Sequence, residues 1–98
     1  VSAGRHVIDD RGRRLLQRGP KRRDRFDRDG IIRRTLAIGT NPIGEPGAVL
    51  MRTEAARRAG RFDQRFPYMI DLDFWLKLLQ LGDIVMTPEP LCSFRVSK

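Results

Sequence analysis

The spacing of apolar and polar positions predicts short strands and short helices in alternation. Residues 5–16 read as a β-hairpin: Val7 and Ile8 are β-branched, Asp9-Asp10-Arg11-Gly12 has turn chemistry, and Leu15 and Leu16 close the returning strand. From Gln17 to Asp29 the chain is almost wholly polar and dense in arginine. No periodicity survives there, which predicts a mobile loop. Ile31, Ile32, Thr35, Leu36 and Ile38 then place an apolar stripe at helical spacing, so a helix is expected over about Asp29–Ile38, ended by Gly39.

The stretch Thr40-Asn41-Pro42-Ile43-Gly44-Glu45-Pro46-Gly47 carries two prolines and two glycines, the composition of a stiffened, kinked loop. Ala48-Val49-Leu50-Met51 is a continuous apolar run and predicts a buried strand. Thr53 is expected to cap a helix that runs to about Ala59 and stops at Gly60. The clearest helix is 71–81, where Leu72, Trp75, Leu76 and Leu79 fall at i, i+3, i+4 and i+7, with Asp71 as N-cap and Gly82 after the end. Ile84-Val85-Met86 reads as a strand, Pro88-Glu89-Pro90 as a turn and Leu91–Val96 as a last strand. The sum is a mixed α/β, or α+β, arrangement without repeats.

Length limits what such an arrangement can be. At 98 residues there is room for one compact domain with a modest core, and none for a complete doubly wound nucleotide-binding enzyme. The start, Val1-Ser2-Ala3-Gly4-Arg5, lacks an initiator Met and a signal-peptide stretch, so the chain is expected to be cut from something longer. No run approaches a transmembrane span. Cys92, the only cysteine, excludes an internal disulfide and leans towards a reducing compartment. Net charge is +8, with +7 inside residues 1–34 and +1 in the remainder. The basic first third admits a small nucleic-acid-binding module, but Phe26 is its one interleaved aromatic and five aspartates dilute it. A solvated basic loop is the simpler reading, and a nucleic-acid partner is not favoured.

The usual catalytic sets are missing. One histidine and one cysteine make no zinc site of recognisable spacing, and there is neither a phosphate-binding Gly-x-x-x-x-Gly-Lys loop nor a Gly-x-Ser-x-Gly elbow. What remains is a carboxylate pair at a helix start, Asp71-Leu72-Asp73. On pattern alone the pair reads as capping, since acidic groups favour the positive end of a helix.

Several motifs in order change that weighting. Gly60-Arg61-Phe62-Asp63-Gln64-Arg65-Phe66, then Tyr68-Met69-Ile70-Asp71-Leu72-Asp73-Phe74-Trp75, then Pro90-Leu91-Cys92-Ser93-Phe94-Arg95-Val96 resemble the C-terminal half of a family 2 glycosyltransferase with the GT-A fold. The segment Asn41–Arg52 resembles the loop and strand ahead of that region, so the likeness is good from about Asn41 to Lys98 and looser before it. The resemblance implies one partial domain lacking the N-terminal nucleotide-binding sheet. Residues 1–40 would form a basic hairpin, loop and helix, and 41–98 the acceptor side with the catalytic base.

In that reading Asp71 matches the proposed base of inverting transfer, the carboxylate that takes the proton from an acceptor hydroxyl. The helix start would keep it ionised. Asn41, Ile43, Gly44, Glu45, Tyr68 and Asp73 would shape the acceptor pocket, Asp73 by orienting the loop, and Arg95 would approach donor phosphate. Trp75 is expected as a core anchor rather than a sugar platform. Three positions depart from the family pattern: Ile70 where Glu is common, Phe94 where Tyr is, and Ser97 where His is. Ile70 and Ser97 favour a third reading, a non-catalytic interaction scaffold left from a degenerate transferase. The Mg²⁺ or Mn²⁺ that holds the sugar diphosphate would be bound by residues outside this chain, and the isolated segment is expected to be inactive. The partners implied are a nucleotide-sugar donor and a hydroxyl acceptor, either a sugar or lipid-linked. An anionic membrane surface would suit the basic charge, placing the protein in the cytoplasm at the inner membrane face. An apolar face left by the missing sheet would favour a homodimer. Composition and resemblance together point to bacterial polysaccharide synthesis.

Overall fold

A computed structural model describes residues 1–65 and 69–96. It is a mixed α/β chain with one four-stranded sheet and three helices: β1 Ser2–Ile8, β2 Arg14–Arg18, β3 Asp24–Phe26, α1 Arg28–Ile38, α2 Thr53–Ala59, α3 Ile70–Leu78 and β4 Ile84–Arg95. Strand order is β2-β1-β4-β3. The outer pairs are antiparallel, whereas the central pair, β1 and β4, is parallel although its strands lie at opposite ends of the sequence.

The hairpin forms where the turn residues predict it. The Asp9 carboxylate accepts from the backbone N–H of Arg11 and of Arg13, each at 2.9 Å, and Gly12 takes φ +80°. Such an aspartate turn satisfies amides that have no ladder partner. The segment 17–29 is not the loop its polarity predicts. β2 continues to Arg18, and Asp24–Phe26 pair antiparallel with Ile84–Met86. β3 is a charged edge strand, held by Arg25 to Asp83 at 2.9 Å and flanked by the Arg23–Glu89 pair at 3.3 Å. Charges on an edge discourage pairing with other chains, and they also erase the apolar alternation that would reveal the strand.

α1 starts one residue earlier than expected because Asp27 caps it, accepting from Gly30 N–H at 2.7 Å. Gly39 ends it at φ 74°, as its sequence position predicts. The stripe on α1 is only partly used: Ile31 is fully buried, whereas Leu36 and Ile38 face solvent.

Three other expectations are corrected. Ala48–Met51 is no buried strand, and Leu50 is 75% exposed. Pro46–Ala48 form a 3₁₀ turn in which the Ala48 N–H donates to the Glu45 carbonyl and the Val49 N–H to the Pro46 carbonyl, leaving a single bridge from Val49 to Ser2. Thr53 and Asp71 are not caps. Arg52 and Met69 occupy those positions, and neither makes a side-chain capping bond. Pro88-Glu89-Pro90 is no turn either, because β4 runs straight through it. The prolines lie beyond the end of β3, where β4 has one neighbour, and beside the register shift against Gly4. A strand with one free side tolerates a residue that cannot donate.

The core joins α1, the 40–47 loop, α3 and β4. Ile31, Ile43, Phe74, Trp75, Leu79, Ile84 and Met86 form one buried cluster. α3 is buried on a wider arc than its stripe predicts, since Phe74 is as enclosed as Trp75 and stacks on Phe62 with centroids 4.2 Å apart. Among the described residues no helix is long and apolar enough to cross a membrane.

Candidate active site

The loop between α1 and the 3₁₀ turn is fixed from inside. Asn41 Oδ1 accepts from the N–H groups of Ile43 at 3.0 Å and Gly44 at 3.3 Å, and its Nδ2 donates to the Gly44 carbonyl at 3.1 Å. The same carbonyl accepts from Trp75 Nε1 at 2.9 Å. Gly44 has φ +108°, and a Cβ there would stand 2.7 Å from a guanidinium nitrogen of Arg5. Glycine is therefore needed for two reasons, backbone conformation and close approach. Arg5, from β1, is 8% exposed in its side chain and pairs with Glu45 at 2.6 Å. A guanidinium this buried requires a counter-charge. One ion pair thus ties the sheet to the loop.

Asp71 sits in the first turn of α3 beside this loop. It borders two clefts, of about 460 and 440 Å³, which also share Thr40 and Asn41. The first is lined in addition by Arg5, Arg18, Arg34 and Glu45, the second by Thr35 and Met69. Among the described residues the Asp71 carboxylate receives no hydrogen bond. Its proton affinity is raised from the ordinary aspartate value, by partial burial first and by the negative charge of Glu45 second. Among the described residues Asp71 accepts no backbone N–H, so the start of α3 gives its carboxylate no hydrogen bond and desolvation sets the direction of the shift. A carboxylate in this condition is a better proton acceptor than an exposed one.

The structure thus brings Asn41, Gly44, Glu45 and Asp71 to one place. Asn41 and Gly44 contribute framework, their polar atoms being taken up within the loop. Ile43 points into the core. Asp73 borders neither cleft and pairs with Lys77 one helical turn on, at 2.9 Å. Arg95 lies at the end of β4 and donates to the carbonyls of Asp9 at 3.0 Å and Asp10 at 2.8 Å, closing the hairpin turn. Tyr68 falls outside the described residues. Nearby, Asp63 is held at a pKa of about 2, chiefly by the hydrogen bonds of Arg65. Trp75 is a core anchor, as expected. No local pattern signals that Arg5, Arg18 and Arg34 converge on one cleft, because they come from three different elements, β1, β2 and α1.

Among the described residues no group of three or more His, Cys, Asp or Glu side chains is placed to hold a metal ion. The site as it stands offers a proton acceptor, two clefts and fixed charges.

No family profile and no solved structure matches the chain. It is similar to the uncharacterised protein MT1568 of Mycobacterium tuberculosis (strain CDC 1551 / Oshkosh), with 34% identity over 80 residues. That stretch is 80% of this chain and 25% of the relative, so the chain spans about a quarter of the length of the protein it matches.

Proposed function

We propose that this chain is the acceptor side of an inverting family 2 glycosyltransferase with the GT-A fold, with Asp71 as its general base. The observation that carries the reading is Asp71 itself. It is a half-buried carboxylate that receives no hydrogen bond among the described residues, its proton affinity raised, at the border of two clefts beside a rigid loop. A residue that served only to cap α3 would accept backbone amides, and Asp71 accepts none among the described residues.

In the proposed reaction an acceptor hydroxyl lies within hydrogen-bond reach of an Asp71 oxygen. Its oxygen attacks the anomeric carbon of the donor sugar while the bond from that carbon to the nucleotide diphosphate breaks. The hydroxyl proton passes to Asp71, and the diphosphate leaves with the bonding electrons. The Asn41–Glu45 loop keeps the acceptor wall in place, and Glu45 keeps Asp71 receptive to the proton. A longer chain would supply the donor site. Consistent with that, Val49, Met51, Leu78, Leu79 and Ile84 line an open apolar groove of about 680 Å³ on which further structure can pack.

The test uses the longer product of the gene with a panel of nucleotide-sugars and simple sugar acceptors in the presence of Mn²⁺. The reading expects turnover of one donor with inversion at the anomeric carbon. Retention of configuration, or no turnover of any donor by folded protein, contradicts it.

A further inference from the structure

Charge is distributed unevenly in the larger cleft beside Asp71. Its charged lining is Arg5, Arg18, Arg34, Glu45 and Asp71. Arg5 is engaged by its ion pair with Glu45. That leaves two guanidiniums, from β2 and α1, and one carboxylate, from α3. Arg18 forms no ion pair among the described residues. Arg34 stacks over Phe26, with its guanidinium carbon 5.2 Å from the ring centroid, and its charge stays uncompensated. Of the other arginines in the basic segment, Arg13, Arg23 and Arg25 are paired with carboxylates, and neither they nor the remaining ones line this cleft, Arg5 apart. The cleft thus has a cationic part, carried by β2 and α1, and a carboxylate part, carried by α3. An occupant that satisfies both parts needs an anionic group at one end and a hydroxyl at the other.

We propose that the acceptor is anionic, a hydroxyl compound bearing a phosphate or carboxylate that Arg18 and Arg34 hold while its hydroxyl reaches Asp71. This rests on the acceptor reading above and narrows it to a substrate class. Guanidinium groups pair with phosphate and carboxylate through two parallel hydrogen bonds, which fixes orientation as well as affinity. A phosphate held at the arginines would fix which hydroxyl of the acceptor meets the base.

The experiment is a titration of the ¹⁵N-labelled 98-residue chain with glucose 6-phosphate, glucuronate, glucose, inorganic phosphate and UDP at equal ionic strength. The proposal expects glucose 6-phosphate or glucuronate to shift amides near both Gly19 and Asp71, and to bind about tenfold or more tightly than glucose or phosphate alone. Which of the two binds better tells phosphate from carboxylate. Arg18→Ala and Arg34→Ala should each weaken that binding about tenfold, while Arg33→Ala, on the same helix but outside the cleft, should leave it unchanged. Three results overturn the proposal. If glucose shifts the Asp71 amide and an added anion gains nothing, the acceptor is neutral and only the anionic class fails. If UDP binds at Arg18 and Arg34 more tightly than any sugar acid or sugar phosphate, the arginines serve the donor diphosphate. If no sugar perturbs the cleft of folded protein, the acceptor reading fails with it.

Discussion

Trp75 donates its indole N–H to the carbonyl of Gly44 at 2.9 Å, joining the buried face of α3 to the loop that walls the candidate site. The indole is 2% exposed, so it is a core side chain and a loop clamp at once. Trp75→Ala should cost about 3–5 kcal/mol through the cavity it leaves. Trp75→Phe keeps most of the apolar contact and loses the hydrogen bond, at about 1 kcal/mol. Urea unfolding of the two variants separates these contributions. A Phe variant as unstable as the Ala variant would show that the hydrogen bond dominates.

Backbones approach closely where the central strands change register. A Cβ on Gly4 would stand 2.5 Å from the carbonyl oxygen of Pro88, whereas a Cβ on Gly47 meets nothing. Gly4→Ala should therefore cost about 2 kcal/mol or more, since two paired strands must separate. Gly47→Ala should be close to neutral. Equal thermal shifts in the two variants would contradict the parallel β1–β4 pairing.

The Arg5–Glu45 pair has two consequences that one substitution separates. Glu45→Gln removes the negative charge that raises the proton affinity of Asp71, so the pH at which Asp71 loses its proton should fall. If Asp71 is the base, the acidic limb of kcat/KM in the longer chain shifts to lower pH. The same change leaves the Arg5 guanidinium buried without its counter-charge, at about 1–3 kcal/mol. Stability and pH profile are measured independently, and an unmoved limb with lowered stability would assign Glu45 a structural role alone.

How far this site could be read from the sequence depends on where each residue's partner lies. The hairpin turn was legible because Asp9 bonds to Arg11 and Arg13, two and four residues away. The end of α1 was legible because Gly39 adopts a left-handed conformation that glycine favours. β3 was not, since Asp24-Arg25-Phe26 acquires its ladder from Ile84–Met86, almost sixty residues on. Pro88 and Pro90 misled for the same reason: a local rule marks a turn, while pairing with β1 holds the chain extended. In the site, Asp71 and the Asn41–Glu45 loop stood out by motif. The arginines did not, because β1, β2 and α1 meet there only after the sheet has formed.

Asp71 should also act against stability. Its folded-state proton affinity is raised, so ionising it costs the folded protein more than the unfolded chain. Any stability that the protonated group contributes is present at acid pH and is lost as pH rises through the folded-state pKa. At neutral pH Asp71→Asn should unfold at the same urea concentration as wild type or a higher one. Groups retained at a stability cost mark functional sites more often than structural ones. A marked loss of stability in Asp71→Asn would return the residue to a purely structural role.

The most direct measurement is kcat for wild type and Asp71→Asn in the longer chain, at saturating donor and acceptor. A general base contributes roughly 10²–10⁴-fold to the rate. The account predicts a fall in kcat of that order, with donor binding retained and the fold intact. A variant that turns over within a few-fold of wild type, or that loses only affinity, would contradict Asp71 as the group that takes the acceptor proton.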